Sequence, residues 1–599
     1  MQNVNPFKKA ARLDEIKEAL EGKCSNFSYS DLDKWLEQSG LKESEFNEKL
    51  YEKGMTKKNF LELVHSEPPT NLEFKNKWDK KLLYILNTFK GFNYNENQIL
   101  NSFSTPFSQY FCNEIKNDFV SLKNISDYIL DIEKVVDNLA QHLNSQLTKM
   151  CSQSLISSFY HKKEEIGLAF PDYIYTYLNK NENKYKLLSS LPVLARNLVE
   201  ITENYIIYIR ELIERFINDY FDIKKILFND DRLKLISIEV GQGDTHRNGR
   251  SVAILKFEKN KKIVYKPRSL FIDVGYNKFI EWLNKKPVVY KLKTIQSIDK
   301  NEYGWQQFVQ SRDCQTYNEV ERYYYRMGAL IGILYILNST DMHYENIIAN
   351  GEFPEIVDLE TIIANNIYQS SNDYFPLNIN LNTILGSGVT NTGNLFTETI
   401  DTDISALTGI PKQKSKKIKT STIKYSENGD PELAFSYFET REQQNLVKLN
   451  GKWMNPYEYN NYLEKGLSDC LSVIKNHKKY IVNTLIDDCF KEAHIRVVPR
   501  ASQVYASFLK SSYHPQYLTN GKDKEFLFEL LWNVCKQEPQ MKKLVNSEIS
   551  DLFNNDIPYF TTKTNSLSIY NSKNQNLGKL YSKTALETVS YTHLRAHET

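Results

Sequence analysis

The hydrophobic period of this chain changes near residue 232, and that change limits the folds open to it. Upstream, Ile125, Ile129, Ile132, Val136, Leu139, Leu143 and Leu147 recur at helical spacing, so they share one face of a predicted long helix. Leu198, Ile201, Tyr205, Tyr208, Leu212, Phe216 and Ile223 repeat the pattern. Residues 1–230 therefore read as helices, either a plain scaffold or a regulatory, peptide-docking layer. Downstream, residues 233–240, 251–257 and 263–266 are short β-branched runs, split by the turn formers Gly241-Gln242-Gly243-Asp244 and Lys259-Asn260-Lys261-Lys262. A helix is predicted over 271–283, and two more strands over 288–295 and 305–309. Residues 317–337 read as a strong helix with Val320, Tyr324, Met327, Ile331 and Leu334 on one stripe. Helices are expected again from about residue 457 to 550. The predicted class is α+β: a helical region over 1–230, a small β-rich lobe over 231–315 and a larger, mostly helical lobe over 316–588.

Composition excludes some functions. Lys plus Arg number 76 against 74 Asp plus Glu, which argues against nucleic-acid binding driven by bulk charge. The cysteines Cys24, Cys112, Cys151, Cys314, Cys470, Cys489 and Cys535 form no C-x-x-C pair, and their scatter fits a reducing cytoplasm. No signal peptide is expected, because Lys8, Lys9 and Arg12 break the first apolar run. The apolar stretch 327–337 is too short to span a bilayer. The end, SYTHLRAHET, resembles a translated sequencing adapter, so 589–599 is read as a non-native tail and the natural chain is expected to continue. Lys412, Lys414, Lys416, Lys417, Lys419 and Lys424 form a basic run, read as a solvated mobile loop or a dock for an anionic peptide.

The chemistry is concentrated in Asp341-Met342-His343-Tyr344-Glu345-Asn346 and, after a hydrophobic strand, Asp358-Leu359-Glu360. This order suits phosphoryl transfer from ATP. One Asp faces the attacking hydroxyl, while an Asn and a second Asp hold Mg²⁺ against the phosphates. Asp341 is thus the candidate base or orienter; as a purely structural residue it would be a helix N-cap. His343 would position Asp341 or touch the γ-phosphate, or be an ordinary core histidine. Asn346 and Asp358 are the candidate Mg²⁺ ligands, and Glu360 would take a second metal or a ribose. Lys266 closes a strand in VYKPR, where it can neutralise phosphate charge; Arg268 is left open between phosphate contact and structure.

Two further constellations are not required by phosphorylation. Asp244 lies two residues before His246, giving a carboxylate–imidazole pair that suits proton transfer, although a hairpin turn explains the neighbouring glycines equally well. Arg496 and Arg500 are four apart with Ser502 beyond, a phosphate fork or a solvated helix face.

The strings GDTHRNGRSV, VYKPRSL, DMHYENIIANG, PEIVDLETI, RVVPRASQVY and DIPYF, in that order over roughly residues 70–590, resemble the N-terminal dehydratase of class II lanthipeptide synthetases. D-x-H-x-x-N also resembles the catalytic loop of phosphoinositide kinases. The resemblance implies a kinase-like two-lobed core similar to lipid kinases. It implies ATP- and Mg²⁺-dependent phosphorylation of Ser and Thr in a precursor peptide with a leader and a Ser/Thr/Cys-rich core, then elimination of phosphate to dehydroalanine or dehydrobutyrine. By the family pattern Lys266, Asp341, His343, Asn346, Asp358 and Glu360 serve phosphorylation and nucleotide binding. Asp244, His246, Arg496 and Ser502 serve elimination. The family usually has Thr where this chain has Ser502. Full-length members add a zinc cyclase; no comparable Cys/His cluster follows residue 560, so this piece is expected to dehydrate and not cyclise, without zinc.

Overall fold

The computed structural model describes the chain except residues 1–4, 20–29, 70–71, 90, 92–98, 123, 288–289, 366–383, 391–400, 427–428 and 590–599. Cys24, the predicted tail beyond Val589 and the start of the strand predicted over 288–295 lie outside the described residues.

Helices fill the N-terminal part. Pro192 sits in the first turn of the Pro192–Leu227 helix, where its missing N–H costs nothing. The predicted stripe of that helix is buried from Leu198 to Ile223. The other long helix runs Ile132–Ile166 and starts later than its periodicity predicts. Asp131 caps it by accepting from the Lys134 N–H. The residues before the cap pair instead with Leu235: Leu130 N–H donates to its carbonyl at 2.9 Å and its N–H donates to Tyr128 at 2.8 Å.

The strands β1 (Leu235–Glu239), β2 (Ala253–Phe257), β3 (Lys262–Lys266), β4 (Ser297–Asp299) and β5 (Gly304–Gln307) form one antiparallel sheet in the order β1-β2-β3-β5-β4. Lys259 and Asn260 turn β2 into β3 with φ of 57° and 56°, the left-handed pair that matches strand twist. The Phe271–Asn284 helix follows β3. The strand expected over 288–295 does not form in its described part. Asn284 bonds both backbone groups of Leu292, at 2.8 and 2.9 Å, and Asn277 donates to the Ile295 carbonyl at 2.7 Å. Those side chains satisfy the backbone a ladder would have used, and β4 comes after them. The Pro192–Leu227 helix backs the sheet through buried Asp219, which accepts from Tyr303, Trp305 and Lys300, each at 2.8 Å.

The Tyr317–Ile336 helix carries its predicted apolar stripe into a second core. It crosses the Asn460–Tyr480 helix at backbone contact. A Cβ on Gly466 would lie 1.8 Å from the Tyr325 carbonyl oxygen, and one on Gly328 would lie 2.0 Å from that of Leu463. Gly466→Ala should therefore destabilise the chain by about 1–3 kcal/mol despite alanine's better helix propensity. A urea midpoint equal to or above that of the unaltered chain contradicts this packing. Among the described residues no helix is long and apolar enough to cross a membrane.

After that helix come the hairpins β6 (Ile347–Asn350) with β7 (Phe353–Ile356), β8 (Lys414–Tyr425) with β9 (Pro431–Glu439), and β10 (Lys448–Leu449) with β11 (Lys452–Trp453). From Lys414 to Lys424 the lysine run thus lies on strand β8 rather than in a loop, with Lys412 just before it: Lys419 to Tyr425 pair in unbroken register with Tyr437 to Pro431, and the register shifts between Lys414 and Lys419. The helices expected over 457–550 are interrupted by β12 (His494–Val497), which pairs with β13 (Phe560–Lys563), extended by β14 (Ser568–Tyr570) and β15 (Asn576–Lys579). Ile495 packs in one core and Val497 in the other, and Arg496 faces the opposite side of the strand.

Candidate active-site cleft

A cleft of about 980 Å³ is lined by segments remote in sequence: the β1–β2 loop, the end of β3, the loop before β6, the segment after β7, and the stretch after β12. Asp244, His246, Lys266, Asp341, His343, Asn346, Asp358, Glu360, Arg496 and Ser502 all line it.

The chain leaves the Tyr317–Ile336 helix through Asn338 and Asp341, both left-handed, with φ of 50° and 61°. Asp341 caps no helix. The chain after it runs to an isolated bridge between His343 and Ser405 and then into β6, whose loop Asn346 closes by donating from Nδ2 to the Asp341 carbonyl at 2.7 Å. Non-glycine residues in this conformation are costly and concentrate at functional sites. Its carboxylate opens to the cleft, and the surrounding protein raises its pKa by desolvation. Glu345 N–H donates to His343 Nδ1 at 3.3 Å, so the neutral ring carries its proton on Nε2, 4.0 Å from Asp341 Oδ1. The Asn346 contact leaves its Oδ1 available.

Across the cleft, Lys266 is buried at the end of β3. Burial lowers its pKa, and Asp273, in the first turn of the following helix, counters at 3.7 Å from Nζ. Lys266 also donates to the Val357 carbonyl. Arg268 joins three carboxylates: Asp273 at 2.8 Å, Asp358 at 2.9 Å and Glu360 at 3.5 Å. Burial would raise the Asp358 pKa, but Arg268 and Lys266 outweigh it and hold the carboxyl down at about 2. Asp358 Oδ2 accepts no hydrogen bond among the described residues. Glu360 receives Arg496 at 2.6 Å and the Tyr559 hydroxyl at 3.3 Å, and Arg496 N–H donates to the Glu360 carbonyl at 2.7 Å. Its carboxylate is therefore engaged by protein cations. The oxygen donors fit magnesium all the same, since Asn346 and Asp358 carry hard oxygens that would hold such an ion, with phosphate and water as its other ligands.

His246 sits in a clamp. It forms a tight bridge with Arg250, at 2.9 and 2.8 Å, around Arg247, Asn248 and Gly249, all with positive φ. Buried Asp556 accepts from the N–H groups of Asn248 at 2.6 Å and Gly249 at 3.0 Å. Ile557 N–H donates to the Thr245 carbonyl at 3.0 Å, and its own carbonyl accepts from His246 Nδ1 at 2.7 Å. That fixes the opposite tautomer to His343: the Nε2 lone pair of His246 accepts no hydrogen bond among the described residues. Tyr559 packs on the ring with centroids 4.9 Å apart. Burial, then the charge of Arg496, pushes the His246 pKa down to about 3. In the free protein the ring should stay neutral from pH 8 to pH 5, and because the unfolded chain's imidazole takes up its proton first, stability from this group should fall steadily as pH drops from about 6.5 to about 3. A ¹³C-imidazole titration assigned by loss of the signal in His246→Gln checks this. A midpoint near the ordinary value of about 6.5 contradicts it.

The carboxylate–imidazole pair predicted between Asp244 and His246 does not form. Asp244 is exposed at the cleft mouth, and a backbone carbonyl takes the ring N–H it would have received. Nor do Arg496 and Arg500 share a helix face. Arg496 is on β12, while Arg500 turns away to bind buried Glu548 at 2.8 and 3.0 Å, with Tyr505 on the same carboxylate at 2.5 Å. Ser502 opens the Ser502–Ser512 helix at the cleft edge. Val252, Ile254, Val264 and Phe308 give the sheet side of the cleft an apolar wall.

Asp273, Asp556, Arg247 and Tyr559 carry this geometry and were not singled out by sequence reasoning. Arg247 stacks over Tyr559 at 4.7 Å. Asp556 and Tyr559 belong to the DIPYF string, which sequence alone gave no chemical role. The signal for Asp273 was an acid in the first turn after the lysine strand.

A family profile described as a domain of unknown function, DUF4135, matches residues 191–563. The chain belongs to the DUF4135 family. Every cleft residue named above falls inside the DUF4135 match. The chain is also similar to the lacticin 481/lactococcin biosynthesis protein LcnDR2 of Lactococcus lactis subsp. lactis, with 26% identity over 455 residues covering 72% of this chain and 48% of the relative. This chain of the DUF4135 family thus spans about half the length of the curated relative it matches.

Proposed function

We propose that the cleft dehydrates a lanthipeptide precursor in two steps, phosphorylation of Ser or Thr and elimination of the phosphate. The observation that carries this reading is the joining of two residue sets in one cleft through the Arg496–Glu360 pair. The similarity to a lacticin biosynthesis protein supports the substrate class.

For phosphorylation, magnesium-bound ATP would supply the phosphoryl group. The apolar wall fits a base. Lys266, held by Asp273, faces the phosphates in the manner of the kinase lysine–acid pair, and Asn346 and Asp358 hold the ion. Asp341 orients the peptide hydroxyl and receives its proton, with the Nε2–H side of His343 facing it. This arrangement supports a kinase-like core of the lipid-kinase kind.

For elimination, the Cα proton leaves, the Cβ–O bond breaks and phosphate departs with the electron pair. Arg496, and the N–H groups at the start of the Ser502–Ser512 helix, favour the leaving anion. His246 presents its free Nε2 to the same space. A pKa near 3, set by burial first and by Arg496 and Arg247 after it, makes it a weak base in the empty cleft; a phosphate dianion beside Arg496 and Arg247 would offset the cationic part of that depression.

A kinase without elimination is the second reading, favoured by the exposure of Asp244 and the low basicity of His246. Mass spectrometry separates them. The chain is incubated with ATP, Mg²⁺ and a Ser/Thr/Cys-rich peptide encoded beside its gene. Loss of water supports dehydration, and a stable phosphate adduct selects the kinase. No mass change overturns both.

A further inference from the structure

Three successive residues of the β1–β2 loop, Arg247, Asn248 and Gly249, take left-handed backbone, with φ of 50°, 65° and 81°. Such a run turns neighbouring N–H groups to one side and makes a nest suited to a carboxylate. The chain fills this nest itself. Asp556 Oδ2 accepts from Asn248 N–H at 2.6 Å, and Oδ1 accepts from Gly249 N–H at 3.0 Å. The Thr245 hydroxyl donates to the same carboxyl. Asp556 is 2% exposed, and neither step proposed above uses it.

Asp556 is fixed in its turn. It follows the Lys542–Phe553 helix and donates its N–H to the Asp551 carbonyl at 3.1 Å. The buried Asp551 carboxylate accepts from Tyr559 N–H at 3.3 Å and from the Ser572 hydroxyl at 2.6 Å. The 551–559 segment therefore grips the loop at two places. The Asp556 side chain holds it at Asn248 and Gly249, and the Ile557 backbone holds it at Thr245 and at the His246 ring. His246 lies between the grips. Among the described residues no hydrogen bond or ion pair joins Lys266, Asp341, Asn346 or Asp358 to residues 245–250. Burial, then Asp551, pushes the Asp556 carboxyl up to about 7, against the pull of the Gly249 and Asn248 N–H groups. A carboxyl keeps acceptor lone pairs when protonated, so the clamp does not hang on its charge. We propose that Asp556 is a positioning residue for His246, holding the imidazole where its Nε2 meets the phosphorylated residue. This rests on the reading of the cleft as a site of phosphate elimination.

The test joins a titration to a rate, in Asp556→Ala and in Asp556→Asn, which returns one acceptor oxygen. Without the clamp the ring leaves the burial that depresses it. The ¹³C-imidazole midpoint of His246 should then climb from about 3 towards the ordinary value of about 6.5. Mass spectra of the reaction with ATP, Mg²⁺ and the Ser/Thr/Cys-rich peptide give the rate. The dehydrated residue should form more slowly in Asp556→Ala by about tenfold or more, with phosphopeptide accumulating, and Asp556→Asn should recover part of the loss. Should Asp556→Ala not fold, Thr245→Val removes one bond to the same carboxyl. It should shift the midpoint in the same direction and slow dehydration by about threefold. A His246 midpoint unchanged in the folded variants overturns the proposal, and so does dehydration at the unaltered rate. If the unaltered chain dehydrates nothing, the function proposed above fails, and the titration alone still decides whether Asp556 positions the ring.

Discussion

Replacing His246 by Ala is expected to leave phosphorylation running and to stop the chemistry there, so that phosphopeptide accumulates. The ring is held from one side by the Ile557 carbonyl and packed by Tyr559, and nothing in the Lys266–Asp273–Arg268–Asp358 network depends on it. The elimination rate should fall by about 10²–10⁴, the range for losing a positioned proton-transfer group. Time-resolved mass spectra of the peptide check this. A variant that fails to phosphorylate shows the division of roles to be wrong. Arg496→Ala gives a less clean separation. Arg496 is the closest cation to Glu360, and Glu360 shares Arg268 with Asp358, so its removal should slow both steps.

Asp341→Asn should reduce phosphorylation by about 10²–10⁴ with the site otherwise intact. Asparagine tolerates the left-handed backbone that this position requires, at φ of 61°. The contact that shapes the loop comes from the Asp341 main-chain carbonyl, which the substitution keeps. Only the proton-accepting oxygen is lost. Phosphate transferred to peptide over time measures the effect, and a rate near that of the unaltered chain removes Asp341 from the reaction.

Much of this molecule was legible in the sequence where a local pattern decides the outcome. The stripe from Leu198 to Ile223 gave a long buried helix because burial of one face suffices to define it. The runs ending at Lys266 gave strands because β-branched alternation has one good solution. The spacing of Asp341, Asn346 and Asp358 described one loop and hairpin, so local chain geometry brings them together. What sequence missed was settled at a distance. Two asparagines on a neighbouring helix removed the strand expected over 288–295. Arg500 was drawn off by Glu548, which periodicity cannot reveal. The partner of His246 proved to be a carbonyl of Ile557, 311 residues away, rather than the nearby Asp244.

The central claim is that one cleft carries two separable steps. The most direct measurement gives Asp341→Asn a peptide already phosphorylated on serine, with no ATP, and follows release of inorganic phosphate and appearance of the dehydrated residue. The account predicts elimination at a rate close to that of the unaltered chain. If neither protein releases phosphate, or if Asp341→Asn alone fails, the two-step reading of this cleft is contradicted.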